Sequence, residues 1–259
     1  MSGTGTPHFL LTNDDGINAE GIAALRNAVA PLGEVTTVAP KDHMSAVSHS
    51  ISLYRPVSYK KISADSYAVD GTPVDAVLLA LHKILPHKPS FVLSGINQGG
   101  NLGQNVYYSG TVAAAVEGTF NGIPSVAISL AALRGSSYNA SVHYVRYLMS
   151  LLIEHGIPRG VTLNVNVPYG RQHGGARITR RADRHARRIR LDANRTGEES
   201  GWWIREELQQ HKIAEGTDHA AIRDGCVSVC PLVFDPHDTG PVGELEEWML
   251  KMQPLLHKL

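Results

Sequence analysis

Asp14 and Asp15 stand side by side in Phe9-Leu10-Leu11-Thr12-Asn13-Asp14-Asp15-Gly16, directly after a short apolar run. Adjacent carboxylates repel each other unless one is protonated or a cation lies between them, and hard oxygen donors favour Mg²⁺, Mn²⁺ or Ca²⁺ over zinc. Neighbouring side chains on a strand point to opposite faces, so the two converge only where the backbone has left the strand, a turn that Gly16 permits. Ordinary turn chemistry leading into a helix explains the same composition equally well. A second stretch, Ser90 to Asn105, repeats the pattern: an apolar strand opens into a glycine-rich loop, and Asn97 arrives at its edge with a side-chain carbonyl that can join a hard-metal shell. Between them lies Lys41-Asp42-His43-Met44-Ser45-Ala46-Val47-Ser48-His49-Ser50, where Ser45, Ser48 and His49 could face a ligand or serve as plain loop groups. Further on, Ser109, Gly110 and Thr111 precede a helix expected over Val112–Gly118. Free amides at that helix start, with two hydroxyls, make a compact anion site suited to phosphate, although a capped glycine-rich connection fits too. There is no Walker lysine motif, no GxGxxG, no nucleophile elbow and no Ser-His-Asp order.

The elements that must position these residues read as α/β. Phe9–Thr12 is a buried strand. Ile22, Leu25 and Val29 form one stripe of a helix from about Ala19 to Ala30 that Asn18 can cap, and Glu34–Pro40 is a β-branched second strand. That βαβ unit implies a right-handed parallel crossover, with Asp14 and the Lys41–Ser50 stretch on one edge, where ligands bind in open α/β sheets. Residues 51–70 suggest short strands of an antiparallel excursion. Thr72 and Pro73 open a helix expected to run to Leu85, with Asp75 in a structural role in its first turn. A strand within Gly122–Leu130, a helix from about Val142 to His155 and a strand over Gly160–Pro168 complete the core. Beyond it come seven arginines between 177 and 190 (177, 180, 181, 184, 187, 188 and 190), read as a solvated hairpin or subunit contact. Trp202-Trp203-Ile204 reads as an arm against a partner subunit or as a local core contact, and a strand around Cys226 and a helix from about Val242 follow.

With 259 residues the chain can bury about 70–75% of its unfolded surface and needs no staples. Formal net charge is zero, so no global field draws it to nucleic acid or an anionic membrane, and any phosphate affinity is local. The chain carries no apolar run of membrane-spanning length and no leader-like start, so a cytoplasmic protein is expected. Cys226 and Cys230 are four apart on an alternating strand, ~13 Å at ~3.3 Å per residue, beyond disulfide reach, and read as free thiols.

Thr12-Asn13-Asp14-Asp15-Gly16, Ala39-Pro40 with Ser45 and His49-Ser50, Gly71-Thr72-Pro73, Ser94-Gly95-Ile96-Asn97 and Tyr108-Ser109-Gly110-Thr111-Val112-Ala113-Ala114-Ala115 together resemble the SurE (survival protein E) family of metal-dependent nucleotidases. The resemblance runs in order from about residue 9 to 130. It resumes more weakly at Trp203-Ile204, Thr217-Asp218, Gly225, Val227-Ser228-Val229 and Pro231-Leu232. It implies one domain over 1–259, with a Rossmann-like, mostly parallel sheet as an α/β core over about 8–170. Residues 171–259 then supply an arm, a strand and a C-terminal helix through which copies form dimers or tetramers. It also implies a phosphomonoesterase of nucleoside 5′- and 3′-monophosphates, with some members trimming short polyphosphate. One Mg²⁺ or Mn²⁺ per subunit would sit on Asp14, Asp15, Ser45 and Asn97, with Asn101, Ser109, Gly110 and Thr111 on the phosphate side. Asp14 and Asp15 would carry the catalysis, by direct water attack with either able to accept a proton. The chain departs from the family at Lys41-Asp42-His43-Met44, where members often carry an arginine-rich run, and at Ala46, where glycine is common. Both departures leave the ligands in place and bear on loop shape and substrate preference. A receiver-like signalling module also pairs acids after its first strand, but needs a phospho-accepting Asp at the end of its third, where Asn97 stands. An RNA-binding arginine hairpin lacks a binding motif.

Overall fold

A computed structural model of the chain describes residues 5–132, 136–170, 175–183, 187–194, 201–234 and 240–256. The elements are β1 (His8–Thr12), α1 (Glu20–Val29), β2 (Glu34–Pro40), β3 (Tyr59–Ser63), β4 (Ser66–Val69), α2 (Pro73–Leu79), β5 (Phe91–Gln98), α3 (Gly110–Phe120), β6 (Ser125–Ala131), α4 (Asn139–His155), β7 (Val161–Pro168), β8 (Ala176–Ile178), β9 (Arg187–Asn194), β10 (Gly201–Leu208), α5 (Asp218–Arg223), β11 (Val227–Val233) and α6 (Gly240–Leu256). Nine strands form one sheet in the order β3-β4-β2-β1-β5-β6-β7-β11-β8, while β9 and β10 pair as a separate antiparallel ribbon. Within the large sheet only the β3–β4 and β7–β11 pairs are antiparallel. The expected α/β fold with a mostly parallel sheet is therefore present.

Alternation along each strand sorts the core into two layers. Phe9 and Leu11 on β1 and Leu93 on β5 join Ile22 and Leu25 of α1, Leu148 of α4 and Met252 of α6 on one face. Leu10 and Val92 turn the other way, onto Val77 of α2 and Ala114 of α3. Since β1 pairs with β2 on one side and β5 on the other, the strand order reverses beside β1. That reversal opens a crevice at the carboxyl ends of β1 and β5, where Asp14, Asp15 and Asn97 lie.

Several boundaries differ from expectation for local reasons. The N-cap of α1 is Ala19 rather than Asn18, and no side chain caps it. The Ala19 N–H closes the Gly16 turn by donating to the Gly16 carbonyl (3.1 Å), so the helix begins one residue later. Helix α2 is capped as expected by Thr72, with Asp75 completing a reciprocal capping box, but α-geometry ends at Leu79. A π-type turn over Ala80–Ile84 follows, in which the Leu85 N–H reaches back to Ala80. Residues 51–57 lie outside the strands, so the antiparallel excursion reduces to β3 and β4. α3 starts at Gly110, two residues before the expected Val112, because the Ser109 side chain is its cap. α4 starts at Asn139, three residues early. Among the described residues no helix is long and apolar enough to cross a membrane.

Candidate active site at the β1 and β5 strand ends

At the end of β1, Asn13 builds the turn that parts the two carboxylates. Its Nδ2 donates to the Gly16 carbonyl (2.9 Å) and its Oδ1 accepts the Gly16 N–H (3.1 Å), with Gly16 at φ +100°. An L side chain would be strained there. Asp14 then turns inward and Asp15 outward. Asp14 is 6% exposed and faces the start of α3, where Thr111 Oγ1 donates to its Oδ1 (2.5 Å). Gly110 makes room for it: a Cβ on that residue would lie 2.9 Å from Asp14 Cβ and 3.1 Å from its Oδ2. Burial pushes the Asp14 carboxyl above its ordinary range, the Thr111 hydrogen bond pulls it back and the neighbouring Asp15 charge pushes it further up. The helix start thus holds a carboxylate among its donors.

Asp15 lines a cleft of about 400 Å³ together with His43, Ser45, Asn97, Gln98 and Tyr138. Asn97 arrives there because β5 slips register against β6 between Ser94 and Asn97, an irregularity that re-aims strand residues. Its Nδ2 donates to the Gly99 carbonyl (2.7 Å), so the carbonyl oxygen is the end that the amide presents. The loop after β2 returns over the site, anchored where the Met44 N–H meets the Asp14 carbonyl (2.7 Å). In that loop His43 Nδ1 lies 3.2 Å from Asp15 Oδ1 and His43 Nε2 bonds to Ser45 Oγ. The Tyr138 phenol, pushed up by burial and by the Asp15 and Glu20 charges, stays protonated.

The remaining candidates are placed less directly. Ser48 and His49 fasten the loop rather than face the cleft: Ser48 Oγ donates to the Tyr107 carbonyl (2.6 Å), and His49 Nε2 pairs with Glu117 of α3 (2.9 Å). Ser109 Oγ accepts the Val112 N–H (3.1 Å). Asn101 is buried in a network: its backbone N–H donates to Asn166 Oδ1 (2.8 Å), its Nδ2 to Ser129 (2.9 Å), and its carbonyl accepts from Asn164 (2.8 Å). Asp218, in a region read as structural, is fully buried and accepts the N–H groups of Gly103 (2.7 Å) and Ala182 (2.9 Å), fixing the loop between Asn101 and Ser109. Of the arginines, Arg177 pairs with Asp224, Arg181 stacks on Tyr107 at 4.3 Å, and Arg188 and Arg190 ride on the β9–β10 ribbon. Arg184 and the side chain of Arg187 lie outside the described residues.

Sequence reasoning missed His43, Tyr138 and Asp218. His43 stood only in a departure from the family pattern, Thr217-Asp218 only in the weaker part of the resemblance, and Tyr138 carried no signal at all.

The family model of survival protein SurE matches residues 9–188. The chain belongs to the SurE family. Similar proteins include one named 5′-nucleotidase SurE from Geobacter sulfurreducens, 40% identical over 247 residues that cover 94% of each chain. Another of that name, from Myxococcus xanthus, is 41% identical over 245 residues, 93% of each chain. The crystal structure of the SurE protein from Aquifex aeolicus superposes with a TM-score of 0.82 at 39% identity, over 93% of this chain and 99% of that one.

The donor chemistry of this SurE site fits a hard divalent cation. Among the described residues no three of His, Cys, Asp or Glu gather as a metal-binding group, so any cation here would depend on neutral oxygens beside the carboxylates. Asp14, Asp15, the Ser45 hydroxyl and the Asn97 carbonyl are all oxygens, the type that Mg²⁺ and Mn²⁺ prefer. A cation also offsets the burial and mutual repulsion that push Asp14 upward.

Proposed function

We propose that the protein is a divalent-metal-dependent nucleotidase that hydrolyses nucleoside 5′-monophosphates to nucleoside and phosphate, with 3′-monophosphates and short polyphosphate as further substrates. The observation that carries this reading is the two carboxylates after β1, Asp14 set against the start of α3 and Asp15 in the cleft with Asn97. Relatives at about 40% identity over nearly the whole chain bear the name 5′-nucleotidase, which supports the same activity.

Asp14, Asp15, Ser45 and Asn97 would hold one Mg²⁺ or Mn²⁺. When bound, that ion supplies neutralisation of phosphoryl charge and a more acidic attacking water. The protein's own groups do the rest. Ser109, whose oxygen takes the Val112 N–H, keeps its hydroxyl proton for a phosphate oxygen, beside the N–H of Gly110 at the helix start. Thr111 acts on the substrate through Asp14, which it orients, and Asn101 through the loop that it pins. Asp14 or Asp15 accepts the proton released by the attacking water. The cleft, about 400 Å³, falls within the usual size of small-molecule sites, which supports a ligand of mononucleotide size.

The test is phosphate release from 5′-AMP, 3′-AMP, 5′-GMP and an aryl phosphate, by chelator-stripped protein with and without Mn²⁺ or Mg²⁺. Release that requires the metal and prefers nucleotides is expected. No release with any metal, from folded protein, would overturn the reading.

A further inference from the structure

We propose that His43 is a positioning residue that joins Asp15 and Ser45 into one preorganised pair of cation donors, and so sets the affinity of the site for its divalent ion. The inference rests on the proposed metal site. Its carrier is connectivity: one imidazole touches both donors, Nδ1 at 3.2 Å from Asp15 Oδ1 and Nε2 on Ser45 Oγ.

The hydrogen-bond inventory of the three groups gives the direction. With the ring proton on Nδ1, His43 turns a polar N–H towards Asp15 Oδ1, 3.2 Å away, and so steers that carboxylate. Nε2 then accepts the Ser45 hydroxyl proton, which leaves the oxygen lone pairs for the ion. In the opposite tautomer Nε2–H would donate to Ser45 Oγ and occupy a lone pair that an ion needs. Each contact therefore fixes an oxygen in the orientation that ligation needs, as hydrogen-bond partners of metal ligands commonly do. Direct ligation by His43 is disfavoured because both of its nitrogens are already engaged by the donors themselves. The need for such a brace is local. Ser45 sits on an exposed loop whose next residue, Ala46, has φ +56°, whereas Asp14 and Asn97 are held by Thr111 and Gly99. His43 is itself about half exposed, so its replacement leaves the core untouched.

The experiment is calorimetric titration of Mn²⁺ alone into chelator-stripped wild type, His43→Ala and His43→Asn. Wild type should bind one ion per chain. His43→Ala should bind roughly 10–100-fold more weakly, the usual loss when a ligand's hydrogen-bond partner is removed. His43→Asn places an amide N–H near the Nδ1 position but nothing at Nε2, and should recover part of that loss through Asp15 alone, which a merely structural role would not allow. Melting temperatures in chelator should be equal for all three. Unchanged affinity in His43→Ala, or an Asn variant no better than Ala, would overturn the role of His43 while leaving the metal site standing. Pulsed EPR of the Mn²⁺ complex showing a directly bound ¹⁴N would overturn it too, by making His43 a ligand. Wild-type protein that binds no Mn²⁺ would instead overturn the metal site itself.

Discussion

At the scale of single residues, the proposed role of Asp14 and the stability of the fold oppose each other. Its carboxyl is pushed above the ordinary value of 3.8, first by burial, with Asp15 adding to the shift. A raised acid contributes stability that is complete below its unfolded value and is lost as pH rises through its folded value. Asp14→Asn should therefore stabilise the chelator-treated protein at pH 7, by on the order of 2–4 °C in Tm, while abolishing metal-dependent activity. The gain should vanish as pH falls through the raised Asp14 value, and melting curves at pH 7 and near pH 4 check both parts. A second expectation concerns Cys230, buried on β11, whose thiol burial pushes up to about 12. A thiol reagent at pH 8 should leave it unmodified in native protein and label it after denaturation, as read by mass spectrometry. The proposed metal-binding residues stand out as candidates because the signal is local: each is a polar group emptied from a strand or following one. His43 does not, because its role depends on where the loop after β2 returns, which is a tertiary fact.

At the scale of elements, the meeting of α3 with the turn after β1 decides whether the site forms. Gly110 allows that approach, since a Cβ there would also lie 3.2 Å from Pro73 of α2. Gly110→Ala should cost about 1–3 kcal/mol through overpacking and displace Asp14. Urea denaturation should show the loss, and Mn²⁺ titration a weaker site. Strand positions were the most legible part of the chain: β2 falls on the expected Glu34–Pro40 and β7 on all but the first residue of Gly160–Pro168. Apolar, β-branched runs bounded by turn residues define such strands locally. Helix ends were less so, because caps compete. Ser109 began α3 two residues early, and the Gly16 turn took the backbone that Asn18 would have capped. The break after Leu79 has no Gly or Pro to announce it.

At the scale of the whole molecule, the β9–β10 ribbon stands apart from the large sheet and carries Trp202, Trp203 and Ile204 at 64%, 57% and 73% exposure. A local core contact is thereby absent at these residues, and an apolar patch of this kind calls for a cover. The proposed cover is the same arm region of a second copy. Sedimentation velocity should show an oligomer for wild type and a shift toward monomer for a Trp202→Ser, Trp203→Ser double variant; a wild-type monomer at micromolar concentration would contradict it. The sheet order itself, with its reversal beside β1, was only half legible: the opening βαβ unit follows from sequence, whereas the far strands β8 and β11 pair across long separations that no local pattern encodes. The proposed function requires that a cation bound at this reversal drive hydrolysis. Its most direct test titrates Mn²⁺ into chelator-stripped wild type and Asp15→Asn, reading bound metal and 5′-AMP hydrolysis in the same samples. Activity that rises in step with one bound ion per chain, with both lost in Asp15→Asn, is the expected result. Full hydrolysis in chelator, or metal binding undiminished in an inactive Asp15→Asn, would contradict it.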